Sequence, residues 1–387
     1  MPNTISTKKI YNVPSFNQLW KPLLTILPEA PPLVSGSNRP LQLDFEHQLK
    51  TLIFFHLEEH DSAQHLLQVL EDDDFARETI APKKGIKKSS FSEAINNRGL
   101  EQLLFVFSTL QAKARNTIPI QFAGLGELVA IDGSLIDACL TMLWADYRKD
   151  SKKAKVHLGF DINRSIPRKL FLTNGKGDER PFVSQILEPG ETGVLDRGYQ
   201  HHRNFDLLQN EGKHFACRIK DSTVKTIIEE FNVSPDGIIF YDAKVLLGQP
   251  GAKQTKTELR LVGYLIDGIK YWIATDRFDL TAEEIALIYQ LRWEVEKFFK
   301  WWKRHLHVYH LIAQSEYGLM VQILTGLITY LLLAIYCQEQ HGEKVSIKRV
   351  RELRAKINNE LARLTVTCHI YQNYDYDMKE YWRYANS

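Results

Sequence analysis

The chain has 387 residues, 44% of them hydrophobic and only 14 of them proline, enough to bury a large core in two or three domains. Its 49 basic and 47 acidic residues leave a formal charge of +2, which neither favours nor excludes nucleic acid, because the two signs can be sorted onto different faces. Cys139, Cys217, Cys337 and Cys368 lie too far apart for a zinc knuckle or a redox pair, and the N-terminus MPNTISTKKIYNVPSF lacks an apolar run of signal-peptide length, so those classes are excluded and a cytoplasmic chain with free thiols is expected.

Residues 1–122 read as helical. Leu49, Leu52, Ile53, His56 and Leu57 recur at helical spacing, and a second amphipathic run covers Leu100 to Leu110. Between them, Ser90 followed by Glu93 predicts a capping box opening a short helix, a possible helix-turn-helix reader. From Glu127 the pattern turns to strands. LVAID ends in Asp132, KVHLGFDIN and RKLFLTNG predict an antiparallel pair, and TGVLD ends in Asp196. Residues 222–276 hold short strand-like pieces separated by glycine turns and read as a β-rich insertion. Helices return from Thr281. The apolar stretch Met320 to Cys337 contains Gln322, Thr325 and Thr329, which predicts a buried helix and no membrane span.

An aspartate closing a buried strand is costly unless it is capped, paired or metal-bound. Asp132 and Asp196 each end such a strand, although each taken alone reads first as the cap of the following turn. The helix from Thr281 supplies a third carboxylate. At about 100° per residue, Tyr289, Arg292, Glu296 and Lys303 fall within an arc of about 60°. Lys300 is close to the same face. Glu296 and Lys300 also make an ordinary i, i+4 pair, which leaves Tyr289 and Arg292 unexplained.

With these blocks in place, the chain resembles the DDE transposases of bacterial insertion sequences, in the insertion-sequence-four branch. Its signature is Tyr, two residues, Arg, three residues, Glu, six residues, Lys, matched here by Tyr289, Arg292, Glu296 and Lys303; AIDGS and LDRGY match the blocks around the two aspartates. The resemblance implies an α/β (α+β) chain with a ribonuclease H-like core at 123–221 and 277–340, the β-rich insertion at 222–276, a helical DNA-end-binding domain at 1–122 and a C-terminal helical region at 341–387. It further implies cut-and-paste transposition, with Asp132, Asp196 and Glu296 as catalytic residues and ligands of two Mg²⁺ ions, Mn²⁺ substituting. The DNA partners are terminal inverted repeats and target DNA, held by a homodimer in a synaptic complex at the bacterial nucleoid.

Under the same resemblance Tyr289, Arg292, Lys303 and Lys300 hold phosphates near the cut, and either Tyr271 or Trp272 stacks on a flipped base. The two rings are adjacent, so they point to opposite sides of a strand and only one serves. Arg218 and Lys220, after HFACRIK, and the basic stretch Arg148, Lys149, Lys152, Lys153 and Lys155 are further phosphate contacts or solvated surface. His157, in KVHLGF, reads as an ordinary satisfied histidine first and as a neighbour of the metal centre second. Lys87, Lys88, Ser90, Asn96, Asn97 and Arg98 are the candidates for end recognition. The acidic run Glu71 to Asp74 reads as a solvated helix end, and the tyrosine-rich C-terminus HIYQNYDYDMKEYWRY as a packing or subunit-binding segment. A ribonuclease H-like nuclease that cuts without joining, and a DNA-binding descendant without catalysis, are the rival readings.

Overall fold

The structure is a computed structural model and describes residues 13–33, 41–149, 151–251, 253–306, 308 and 310–363; Cys368 and the tyrosine-rich C-terminal segment lie outside them. Helices α1 (Pro14–Ile26), α2 (Phe45–Leu57), α3 (Ala63–Asp72), α4 (Lys88–Asn97) and α5 (Leu100–Thr117) come first. Strands β1 (Leu128–Asp137), β2 (Asp146–Arg148), β3 (Ser151–Asp161) and β4 (Ile166–Asn174) follow, then α6 (Phe182–Ile186), β5 (Thr192–Leu195), α7 (His202–Asn210) and β6 (His214–Arg218). The remainder comprises β7 (Lys225–Glu230), β8 (Ile239–Leu247), β9 (Leu259–Ile266), β10 (Ile269–Thr275), α8 (Ala282–Leu291), α9 (Trp293–His305), α10 (Glu316–His341) and α11 over 347–363.

Two compact units emerge, Met1–Leu110 with His305–Ser387, and Gln111–Arg304. In the first, α10 is the core: it packs against α1, α2 and α4. It is the one described helix long and apolar enough to cross a membrane, yet 94% of its apolar window is buried inside the protein. Its Thr325 and Thr329 hydroxyls donate to the carbonyls four residues back, at 2.7 and 2.8 Å, which lets polar side chains sit in an apolar helix without loss. The sequence-based core at 277–340 thus includes a helix whose partners belong to the N-terminal region. Apolar periodicity identifies such a helix without naming the surface it covers.

The expected capping box at Ser90 and Glu93 does not form. Lys87 is the N-cap of α4 and makes no side-chain cap, so Ser90 lies inside the helix and its hydroxyl donates to Gln42 Oε1 at 3.2 Å. Asn96 is also engaged, accepting from the Gln314 N–H (2.9 Å) and the Ser315 hydroxyl (3.0 Å) at the entry of α10. The acidic run is an exposed helix end, as expected.

The second unit is a mixed α/β assembly around a ten-stranded sheet, ordered β2-β3-β1-β5-β6-β10-β9-β8-β7 with β4 on β3. β3 and β4 pair antiparallel, as their sequences predict, and β5 runs parallel to both β1 and β6. The 222–276 segment is β-rich, but its strands extend this sheet and do not form a separate body: β10 pairs antiparallel with the outer edge of β6, covering backbone groups that would otherwise be left open.

Strand parity sorts the two faces. Val129, Ile131, Leu195, Phe215, Cys217 and Ala274 point into an apolar cluster with Ile186, Phe205 and Leu208 of α6 and α7. The alternate residues face α8, which lies across β5, β6, β8, β9 and β10. The capping box predicted upstream occurs here instead. The Thr281 hydroxyl accepts from the Glu284 N–H (3.2 Å), and Glu284 Oε2 accepts from the Thr281 N–H (2.8 Å). We expect Thr281→Ala to cost about 1 kcal/mol of stability, read as a lower urea midpoint at unchanged slope; an unchanged midpoint would show that tertiary packing alone fixes the start of α8.

Candidate active site

β1 does not end at Asp132, as LVAID suggests, but continues paired with β3 to Asp137↔Lys153. What ends is its other pairing: Ile131↔Leu195 is the last register pair with β5. Asp132 therefore stands where the sheet loses one neighbour, and Asp196, one residue past β5, leaves at the same level on the adjacent parallel strand, some 5 Å away by strand spacing. Both lie on the face toward α8 by parity. Each carboxylate is tied locally. Asp132 Oδ1 accepts from the Gly133 N–H at 2.9 Å, and Asp196 Oδ1 from the Gly198 N–H at 2.7 Å.

Asp132 is under electrostatic stress. Burial, reinforced by the charges of Asp196 and Glu179, pushes its carboxyl up to about 7 against the opposing pull of Arg292. Arg292 is the bridge to the third carboxylate: buried itself, it donates from Nη2 to Glu296 Oε1 at 2.5 Å. Burial works against its charge, but Tyr289, Glu296 and Asp132 together hold its proton affinity above the ordinary value.

The helix carrying this signature is not continuous. α8 ends at Leu291 and α9 begins at Trp293, and around Arg292 the backbone takes i to i+3 bonds, Arg292 N–H to Tyr289 C=O and Val295 N–H to Arg292 C=O, both 3.2 Å. This tighter turn places Tyr289 on α8 and Glu296 and Lys303 on α9, with the Arg292 guanidinium 5.8 Å from the Tyr289 ring centre and bonded to Glu296. Lys303, half-buried on α9, donates from Nζ to the Leu135 carbonyl at 2.7 Å; burial lowers its proton affinity, while Asp137 and Asp132 oppose that shift. Lys300 is exposed.

Tyr271 and Trp272 separate as parity requires. Tyr271 faces α8, stacked on Tyr264 (5.0 Å, 7°), 6.2 Å from the Tyr289 ring and with Arg218 over it at 4.5 Å. Trp272 packs toward the apolar cluster, edge-on to Tyr241 (5.2 Å), with Lys225 Nζ 3.8 Å from its ring centre. Lys220 is exposed beyond β6.

Much of the basic stretch is neutralised locally. Lys152 pairs with Asp146 at 3.7 Å, Lys153 with Asp137, and Lys155 with Glu179 at 2.8 Å. His157 is fully buried, held by Thr173 Oγ1 (2.8 Å) and stacked on Phe182. Burial pushes its imidazole down to about 4, which makes it a neutral packing group.

Asp132, Asp196 and Glu296 are an oxygen-only donor set of the kind that suits a hard divalent cation, and the stress on Asp132 is what such a cation relieves. Among the described residues, no three acidic or histidine side chains converge on one point as placed; Glu296 is taken by Arg292. The set fits in chemistry, with Glu296 engaged by the Arg292 guanidinium.

Residues 123–332 match the family model described as the transposase DDE domain, more than half of the chain. The chain belongs to the transposase DDE domain family. Among curated relatives, it is 27% identical over 221 residues to a probable transposase for insertion sequence element IS5377 of Geobacillus stearothermophilus, covering 56% of this chain and 59% of that protein. It is 24% identical over 278 residues to a putative transposase for insertion sequence element IS4SA of Synechocystis, covering 69% and 77%. To the putative transposase y4zB of Sinorhizobium fredii it is 26% identical over 218 residues, covering 55% and 61%.

Two residues of this DDE domain escape a reading of its sequence. Glu179 reaches beneath Gly133: a Cβ built there would lie 2.8 Å from the Glu179 carboxyl carbon, so the glycine beside Asp132 makes room for a fourth carboxylate. No motif signals this, since Glu179 lies in the turn before α6. Trp293, directly after Arg292, is 55% exposed, with the Arg292 guanidinium 5.6 Å from its ring. An open flat ring beside the signature was visible as a residue type, but its exposure depends on the break at Arg292.

Proposed function

We propose that this DDE domain protein is the transposase of an insertion sequence, cutting DNA at terminal inverted repeats and joining the freed 3′ ends to target DNA, with a hairpin on the element's end as intermediate. One observation carries the reading: Asp132 and Asp196 leave adjacent parallel strands at one level, on the face where Arg292 bonds Glu296 and its charge acts on Asp132. The relatives' names support it, as does the order β4-β3-β1-β5-β6, three antiparallel strands followed by two parallel ones, which suits a ribonuclease H-like core. The Tyr289, Arg292, Glu296, Lys303 spacing favours the insertion-sequence-four branch.

Asp132, Asp196 and Glu296 would hold two Mg²⁺ ions, with Mn²⁺ substituting. When bound, a pair of such ions activates the attacking oxygen and stabilises the leaving oxygen of an in-line displacement. Arg292, once exchanged from Glu296, offers a planar fork to a phosphate, whereas Lys303 and Lys300 act as point charges. Of the two adjacent rings, Tyr271 is the one on the site's face; the exposed Trp293 is a further stacking surface for an unpaired base. The helical region at 1–122 holds the element's ends, residues 341–387 form a C-terminal helical region, and a homodimer holds two ends together in the nucleoid.

The test is strand transfer. The full chain is supplied with pre-cleaved terminal-repeat DNA, a target plasmid and Mg²⁺. Joined products are expected; hydrolysis of the target without joining would instead make the chain a nuclease.

A further inference from the structure

An open cleft of about 730 Å³ lies between the start of α7 and the 253–256 segment, lined by Arg203, Lys220, Lys253 and Lys256. All four cations are exposed, and none forms an ion pair with a described carboxylate. The cleft's one acid, Asp206, is already occupied: its Oδ1 accepts from the Lys256 N–H (2.9 Å), the Thr257 N–H (3.2 Å) and the Thr257 hydroxyl (2.9 Å). Asp206 thus anchors the 256–257 segment, and its single negative charge leaves the four cations in excess.

The cleft walls are built. His202 Nδ1 bonds the Lys253 carbonyl at 2.7 Å. Gly248 (φ +104°) lets the chain fold back so tightly that a Cβ there would lie 2.1 Å from the same carbonyl oxygen. α7 opens into the cleft with no side-chain cap and no acidic residue in its first turn, leaving the positive end of its dipole uncompensated. The cleft's lining begins near the site in the chain: Gln200, four residues past Asp196, accepts from the Lys220 N–H at 2.9 Å, just beyond β6 and Arg218.

Resting on the transposase reading, we propose that this cleft holds the sugar–phosphate backbone of duplex DNA running away from the active site, without regard to base sequence. Four cations on long exposed stems around an open cleft suit an extended polyanion, whereas a single phosphate group would be enclosed by buried donors. Side chains of this kind position a duplex without reading it.

The experiment measures affinity of the full chain for two fluorescent duplexes, one bearing the terminal repeat and one unrelated, from 50 to 200 mM salt. It compares the wild type, Lys220→Gln alone, and the quadruple variant Arg203→Gln, Lys220→Gln, Lys253→Gln, Lys256→Gln. Each lost phosphate contact lowers the slope of log affinity against log salt by about 0.9. The quadruple variant is expected to lose about 3 to 4 in slope on both duplexes alike, and Lys220→Gln about 1. Competing inorganic phosphate at the same ionic strength should leave DNA bound; displacement would make this a site for free phosphate and overturn the proposal. Unchanged slopes in a wild type that binds DNA would overturn the cleft proposal and leave the transposase reading standing, and loss on the terminal repeat alone would make the cleft a reader of ends. Failure of the wild type to bind either duplex would overturn both.

Discussion

In metal-free solution at pH 8, Asp132→Asn is expected to be more stable than the wild type by on the order of 2–4 kcal/mol, and the two should converge near pH 4. The folded chain holds the Asp132 proton up to about pH 7, whereas an unfolded aspartate releases it near pH 3.9. Between those values the folded state binds more protons, so stability falls as pH rises through the window and stays low above it. Asparagine keeps the shape and removes the charge that burial, Asp196 and Glu179 oppose. Urea unfolding in chelator at the two pH values checks this. Equal midpoints at pH 8 would mean that Arg292 already compensates Asp132, and the case for cation binding there would weaken.

Arg292→Ala is expected to lower the rate of Mg²⁺-dependent nicking by about two to three orders of magnitude, the range seen when one fixed donor is removed from a site of developing negative charge. The half-buried Glu296 loses its 2.5 Å partner and Asp132 loses a cation that pulls against its neighbours. Arg292→Lys should recover little, because an ammonium cannot reach two groups as a planar guanidinium does. Single-turnover nicking at saturating Mg²⁺ and DNA separates this from weakened binding. Near wild-type rates in the lysine variant would reduce Arg292 to a point charge.

The residue pattern that marks this candidate site was legible because it is local. An aspartate after four apolar residues, another before Arg-Gly-Tyr and a carboxylate at fixed distance from tyrosine, arginine and lysine are patterns of neighbouring residues. Distant pairing was harder to read. β1 runs on past Asp132 because β3 is long enough to pair with it, and the 222–276 strands join the main sheet because β6 presents an edge. The helix divides at Arg292, where no proline or glycine marks a break; its guanidinium bonds Glu296 and is attracted by the charge of Asp132. Ser90 and Glu93 have capping-box spacing, yet α4 starts earlier and leaves Ser90 inside. Glu179 and the cleft at Lys253 and Lys256 come from turns brought beside Asp132 and α7 only by the fold.

The most direct measurement is cleavage of terminal-repeat DNA in Mg²⁺ by the wild type and by Glu296→Ala, with end binding followed in parallel. The account predicts that both bind the ends and that only the wild type cuts them. Cleavage by Glu296→Ala at the wild-type rate would contradict the assignment of the third carboxylate and, with it, the active site described above.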